Sequence, residues 1–279
     1  MDHVRWSARP QLDRPVLIAA FEGWNDAGDA ASVAAGWLRR RWAPEPLADL
    51  DPEEFFDFTS TRPRVELLEG VTRTIEWPAT TFTYGRVAGI DTVVLLGTEP
   101  QLRWRTFCAQ VVAVARSLEV RLVLTLGALL AEVPHTRPTS VIGTAVDQDL
   151  IARLGLERSS YEGPTGIVGV LQDACSKGKV PAASLWAAVP SYVPGAPSPK
   201  AALALVERAA SVVGVAVSTT DLDITAAAYE RQVSEVVADD EEMIAYVERL
   251  EQRYDDNEGV PSGSLAEEVE RFLRDRGGD

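Results

Sequence analysis

Three loops of the sequence carry glycines and polar side chains at positions where a ligand could bind. They cover residues 22–28, 97–105 and 161–166, and each precedes a predicted helix. In open α/β sheets ligands bind at the ends of strands, and glycines let the backbone approach a ligand closely. If the three loops converge, they could hold a polar small molecule. The candidate ligand-binding residues are Trp24, Asn25, Asp26, Glu99, Gln101, Arg103 and Thr165.

Each loop also has a structural interpretation, and the residues leave both open. Asp26 and Asp29 place negative charge at the start of a predicted helix, where they would cap the helix and repel an anionic ligand. Residues 97–105 suit a capped helix start with local ion pairs. Residues 161–166 suit a Gly/Pro turn capped by Thr165. The nucleotide-binding patterns GxGxxG and GxxxxGK(S/T) do not occur.

The sequence contains no recognisable catalytic arrangement. Its two histidines, His3 and His135, are too few and too far apart for a histidine metal site or a Ser-His-Asp triad. His135 lies in a proline-flanked loop, where an exposed loop histidine is the simplest interpretation. No serine lies in a GxSxG motif, and no EF-hand loop is present. We therefore predict no catalytic residue, no metal and no cofactor, and we favour a non-enzymatic role.

The elements that position the loops are predicted from apolar patterns. Continuous apolar runs predict buried strands at 15–21, 91–96, 121–126 and 184–189. Apolar residues at helical spacing predict helices between these strands. Such alternation indicates a largely parallel sheet between two layers of helices. Residues 71–75 and 81–84 are rich in β-branched and aromatic side chains, which predicts a hairpin or meander.

Charge excludes several classes of function and divides the chain. The 279 residues include 27 basic and 42 acidic ones, a net charge of −15, which argues against binding to nucleic acid or to anionic membranes. Residues 223–279 carry 17 acidic residues and 6 arginines, a net charge of −11. We predict an α/β core domain over residues 1–222 and an acidic helical extension over 223–279. With no signal-peptide pattern, a cytoplasmic location is expected.

Two apolar sets are candidate interaction residues. Three phenylalanines close together in an irregular acidic segment suggest either an anchoring loop or a contact surface. An apolar stripe on a charged helix of the extension would pack on its own domain or on a neighbouring subunit. A capping box at Ser264 and Glu267 predicts a last helix. The candidate interaction residues are Phe55, Phe56, Phe58, Met243, Val247, Leu250 and Tyr254.

Four segments together carry a family resemblance. Residues 17–28 (LIAAFEGWNDAG), 94–101 (VLLGTEPQ), 163–169 (GPTGIVG) and 189–193 (VPSYV) occur in this order. Over roughly residues 12–215 the chain resembles the proteasome assembly chaperone family, in the branch named after its second chaperone, and it is similar to the actinobacterial members. No single segment is specific, so the resemblance depends on their order and spacing.

The resemblance implies a fold and a kind of partner. It implies a three-layer α/β/α fold similar in topology to purine nucleoside phosphorylases, and a homo-oligomer, a dimer or a trimer with the trimer favoured. Eukaryotic relatives guide assembly of proteasome α-rings, and archaeal relatives bind proteasomes through a tail with a penultimate tyrosine. This chain ends Arg-Asp-Arg-Gly-Gly-Asp, so docking by such a tail is not expected. The family offers no catalytic residues to carry over.

Two functions remain as hypotheses from the sequence. The first is a non-enzymatic homo-oligomeric interaction protein, chaperone-like, with proteasome subunits as candidate partners. The alternative is a protein that binds a nucleoside-like small molecule, or a hydrolase- or phosphorylase-like enzyme, that uses the three loops.

Overall fold

The computed structural model describes residues 3–68 and 71–256, apart from the side chain of Leu68. The predicted capping box at Ser264 and the helix after it lie outside the described residues. The strands are β1 (Val4–Trp6), β2 (Val16–Glu22), β3 (Glu45–Leu50), β4 (Arg64–Leu68), β5 (Thr72–Glu76), β6 (Thr80–Val87), β7 (Ile90–Thr98), β8 (Leu122–Ala131), β9 (Val141–Ala145) and β10 (Ala182–Pro190). The helices are α1 (Ala30–Trp42), α2 (Trp104–Ser117), α3 (Gln148–Leu154), α4 (Ile167–Lys177), α5 (Pro199–Val213), α6 (Thr220–Ala238) and α7 (Glu241–Asp256).

Within the described part of the chain, eight strands form one mixed sheet in the order β1-β3-β6-β7-β2-β8-β10-β9. The four central strands, β7, β2, β8 and β10, run parallel, and the strands outside them pair antiparallel. Helices cover both faces of this sheet. The structure therefore confirms the predicted three-layer α/β/α fold.

Strand β2 shows why the central strands are apolar along their whole length. Its alternate side chains enter two different cores, one beneath α1 and α5 and the other beneath α2 and α4. Because both faces of the strand are buried, no position favours a polar residue. Val16, Ile18 and Ala20 enter the first core, and Leu17, Ala19 and Phe21 enter the second.

The connections leave a crevice at the carboxyl ends of β2 and β7. Strand β2 leads into α1 on one face, whereas its parallel neighbour β7 leads into α2 on the opposite face. Where two adjacent strands send their helices to opposite faces, the loops separate and a ligand-sized crevice can form. The fold thus brings the first two candidate loops side by side.

The predicted hairpin between residues 71–75 and 81–84 is wrong. Strand β5 pairs with β4 in a separate two-stranded sheet, with Val65 opposite Ile75. Strand β6 pairs with β3 on one side and β7 on the other, so it has no free edge for β5. The β4–β5 hairpin therefore stands apart from the main sheet.

The acidic helices pack against the core. Helix α6 begins at Thr220, so the predicted boundary at residue 223 falls inside a helix. The indole N–H of Trp37 in α1 donates to Asp221 at 2.8 Å, and Arg41 also bonds this carboxylate at 3.1 Å. The division into two domains stays a prediction. Over the described residues, no helix is long and apolar enough to span a membrane.

We predict that Gly127→Ala destabilises the protein whereas Gly36→Ala does not. A Cβ at position 127 in β8 would lie 2.5 Å from the indole of Trp186, whose ring lies over this glycine. We expect a loss of about 1–3 kcal/mol in the free energy of unfolding, measured by urea denaturation.

Gly36, inside α1, is the matched control. A Cβ there meets Leu96 at an ordinary 3.9 Å, and alanine is better than glycine in a helix by up to about 1 kcal/mol. Equal destabilisation by the two changes would contradict the assignment of Gly127 as a packing position for Trp186.

Candidate functional site

The three candidate loops meet at the carboxyl ends of β2 and β7. The backbone N–H of Glu99 donates to the carbonyl oxygen of Glu22 at 2.8 Å, which joins the first two loops. The Oε1 atom of Glu99 accepts a hydrogen bond of 2.8 Å from the backbone N–H of Ile167, the first residue of α4. The Glu99 carboxylate thereby caps α4, where the helix dipole favours negative charge.

Gly166 allows this approach because it has no side chain. A Cβ at this position would lie 2.1 Å from Oδ1 of Asn25 and 2.9 Å from Oε1 of Glu99. Any other residue would require Asn25, Glu99 or the start of α4 to move. Asn25 is itself fixed by its carbonyl oxygen, which accepts a 2.8 Å hydrogen bond from the N–H of Ala128 in β8. Asn25, Glu99 and Gly166 form what we call the loop junction.

A cavity of about 310 Å³ lies beside the loop junction, between α4, β9, β10 and the loop over residues 157–165. Its walls are largely apolar and aromatic. Of the seven candidate ligand-binding residues, Trp24, Asn25 and Thr165 line this cavity. Two further aromatic residues also line it: Tyr161, which belongs to the third candidate loop, and Trp186, which the sequence did not single out.

The floor of the cavity is polar but uncharged. Ser184 of β10 lines it and shares a 2.8 Å hydrogen bond with the buried Thr125. Gln172 of α4 also lines it and donates its Nε2–H to the Thr125 hydroxyl at 3.1 Å. Asn25 is only 4% exposed, and its Oδ1 atom has no hydrogen-bond partner among the described residues. The cavity therefore offers hydroxyl and amide groups to an occupant.

Asp26 is used inside the fold and does not line the cavity. Its Oδ1 accepts a 2.6 Å hydrogen bond from the N–H of Ala31 and a 3.3 Å bond from that of Ser32, so it caps α1. Burial raises the pKa of Asp26 to about 6 because the ionised carboxylate loses its hydration, and these hydrogen bonds only partly offset this loss.

Gln101 and Arg103 connect the second loop to the irregular segment before β4. The Gln101 amide donates to the Thr61 hydroxyl at 2.8 Å and accepts from the Asp57 backbone N–H at 3.2 Å. Arg103 forms an ion pair with Glu54. Of the two interpretations of this loop, these contacts favour the structural one, with local hydrogen bonds and ion pairs. The binding roles of all seven candidate residues remain predictions.

The phenylalanines anchor the irregular segment to the core. Phe55 and Phe56 are buried, and the Phe55 ring packs edge-on against Phe107 of α2 at 5.3 Å. Phe58 is half-buried and packs edge-on against Trp77 at 4.7 Å. Of the two alternatives for these residues, the structure favours the anchoring loop.

The apolar stripe of α7 packs mostly within its own chain. Val247 and Leu250 are buried, and Val247 lies in a small core with Val233 of α6. Met243 packs at the margin of this core, and Tyr254 is half-buried. This favours packing on its own domain over a contact with a neighbouring subunit.

His135 is buried, and the expectation of an exposed loop histidine is wrong. Its Nδ1 lies 2.7 Å from the Tyr192 hydroxyl and its Nε2 lies 2.9 Å from the Ser234 hydroxyl of α6. Its backbone oxygen accepts a hydrogen bond from Lys200, which also pairs with Glu230. Burial lowers the pKa of His135. No sequence signal showed that α6 would cover this loop.

Neither cysteine is placed for nucleophilic chemistry. Cys108 and Cys175 are free and buried, and burial raises the pKa of each thiol to about 12. Neither thiol can supply a thiolate near neutral pH. In the part of the chain that the structure describes, no three His, Cys, Asp or Glu side chains are grouped to hold a metal ion.

We predict that Asp26→Asn stabilises the protein increasingly as the pH rises. Because the folded-state pKa is raised from 3.8 to about 6, the folded state binds the proton more tightly than the unfolded state. The stability that the protonated Asp26 contributes is complete below pH 3.8 and is lost as the pH rises through 6. A shift of about two pKa units corresponds to about 3 kcal/mol, which is the largest gain in free energy of unfolding that we expect for Asp26→Asn over wild type at pH 7.5.

Urea denaturation of both proteins between pH 4.5 and 7.5 measures this difference. The control is Asp239→Asn, which removes one carboxylate from an exposed position at the end of α6. A constant difference between Asp26→Asn and wild type over this range would show that Asp26 keeps an ordinary pKa.

Known proteins resemble the chain over most of its length. The model of the PAC2 family matches residues 20–237. A PAC2 family protein from Streptomyces avermitilis is 48% identical, with a TM-score of 0.78 over 84% of this chain and 99% of that one. A Mycobacterium tuberculosis protein described as a proteasome-assembly chaperone homologue is 46% identical, with a TM-score of 0.75 over 83% of this chain and 99% of that one.

A more distant relative covers nearly the whole chain. This Mycobacterium tuberculosis protein of unknown function is 27% identical, with a TM-score of 0.85 over 99% of this chain and 96% of that one. No curated protein matches. The family match over residues 20–237 and the two relatives above 45% identity agree with the resemblance seen in the four sequence segments. The chain therefore belongs to the PAC2 family.

Proposed function

We propose that the protein is a non-enzymatic, homo-oligomeric interaction protein of the assembly-chaperone type. The observation that carries the proposal is the apolar face of the β4–β5 hairpin. Val65 is 61% exposed, and Leu67 and Ile75 are each 57% exposed. Exposed apolar side chains grouped on one surface mark an interaction site more often than chance.

The hairpin geometry places these side chains together. Val65 lies directly opposite Ile75, and Leu67 lies opposite Arg73. Residues two apart in a strand point to the same face, so these four side chains share one face. A two-stranded hairpin is at best marginally stable alone in water. A partner that covers this face would stabilise it.

Charge favours a second copy of the chain as that partner. The whole chain has a net charge of −15, so most surfaces of two copies repel each other. Residues 62–77 contain three arginines and three glutamates and have no net charge. Two copies can meet at the hairpin face without this repulsion, as a dimer or as a trimer, with the trimer favoured.

The relatives suggest what the oligomer acts on. One relative at 46% identity is described as a proteasome-assembly chaperone homologue. We propose that proteasome subunits are partners of this protein as well. Mixing the purified protein with purified proteasome α subunits from the same source should yield a complex and faster ring assembly. If neither is observed, the oligomer serves another partner and the chaperone role is wrong.

We predict that Ile75→Lys dissociates the oligomer whereas Thr72→Lys does not. Both changes add one positive charge to β5, but residue 75 lies on the apolar face and residue 72 on the opposite one. A buried unpaired lysine is costly, so the dissociation constant should rise at least tenfold. Light scattering coupled to size exclusion, at micromolar concentrations, measures the mass of each variant.

Two outcomes would contradict the proposal. If the wild-type protein is still monomeric at about 100 μM, it does not form a homo-oligomer tight enough to support this function. Equal dissociation by Thr72→Lys would mean that the added charge acts generally and that the apolar face is not the contact.

A further inference from the structure

We propose that the cavity beside the loop junction binds a small, uncharged aromatic heterocycle. The inference does not depend on the hairpin or on proteasome subunits. It rests on the size of the cavity, on its aromatic walls and on its uncharged polar floor.

The size limits the occupant to a molecule of one or two rings. The cavity measures about 310 Å³, at the lower end of the range in which proteins bind small ligands, roughly 300–1,000 Å³. A polymer or a large cofactor would not fit within it.

The walls favour a flat, apolar ring. Trp24, Tyr161 and Trp186 line the cavity from three different elements: the first loop, the loop before α4, and β10. Because Gly127 has no side chain, the indole of Trp186 can lie directly against the sheet at this position. The Tyr161 hydroxyl donates to the Pro164 carbonyl oxygen at 2.6 Å, which fixes its ring. Aromatic side chains held in place in this way favour stacked or edge-on contact with a second ring.

The polar groups favour an uncharged ligand. Ser184, Gln172 and Asn25, which form the polar part of the interior, are hydroxyl and amide groups. The charged members of the lining, Glu157 and Arg158, have opposite signs, so the lining carries no net charge. A net charge on the ligand would lose its hydration in the interior without gaining an ion pair there.

The test uses the full chain labelled with 5-fluorotryptophan and observed by fluorine NMR. The protein has seven tryptophans, of which Trp24 and Trp186 line the cavity. Benzimidazole is the probe. Indole-3-acetate and tryptamine supply a negative and a positive charge. Single Trp→Phe variants assign the signals.

We expect benzimidazole to shift the Trp24 and Trp186 signals saturably and to leave the other five unchanged. Either charge on the probe should weaken binding at least tenfold. The inference is overturned if no signal saturates at millimolar benzimidazole. It is equally overturned if other tryptophans respond in place of these two, or if the charged probes bind as tightly.

Two variants locate the binding. Thr144→Phe places a ring in the cavity from β9 and should abolish the shifts, whereas Thr225→Phe on the exposed surface of α6 should not. If Thr144→Phe fails to fold, Gln172→Leu removes the floor amide at similar size and should weaken benzimidazole at least fivefold. If whichever of these two cavity variants folds still binds benzimidazole as tightly as wild type, the probe binds elsewhere and the inference is overturned.

Discussion

The close approach of α4 to the ends of β2 and β7 is the constraint on which the site depends. Gly166 lets the helix start lie against Asn25, and Glu99 receives the first helical N–H at 2.8 Å. This contact fixes where Gln172 stands, one and a half turns further along, and therefore where the cavity has its floor. The three candidate loops thus form one unit. The same residues have both a structural role and a proposed binding role.

A second set of contacts holds the acidic helices to the core. The buried His135 bridges Tyr192 of the core to Ser234 of α6, and Arg137 binds Asp255 of α7 at 2.7 Å through two bonds. Opposite charge alone would give exposed pairs of little stability. The buried histidine and the apolar contacts of Val233 and Val247 add the specific attachment that ion pairs lack. The extension therefore packs as a structural part of the described protein.

The sequence predicted the layers of the fold better than the site. Apolar runs such as 15–21 and 121–126 identified the central strands, because strands buried on both faces are apolar at nearly every position. Polar side chains carry no comparable pattern. Asp26 and Gln101 were candidates because of their position, yet they bond to the fold, while Trp186 lies in a strand that looked purely structural. Which side of a strand faces a cavity depends on tertiary packing, which one sequence does not encode locally.

The two proposed binding surfaces lie on different parts of the fold, and different interactions would drive binding at each. The β4–β5 hairpin projects from the sheet and presents apolar side chains without net charge, so association there removes apolar area from water. The cavity is enclosed by rigid aromatic rings and amides, so binding there depends on shape and on hydrogen bonds. The loop over 51–61 lies between them, anchored by Phe55 and bonded to Gln101 next to the loop junction. Phe58 of the same loop packs on Trp77 at the base of the hairpin, so this segment provides one continuous series of contacts between the two surfaces.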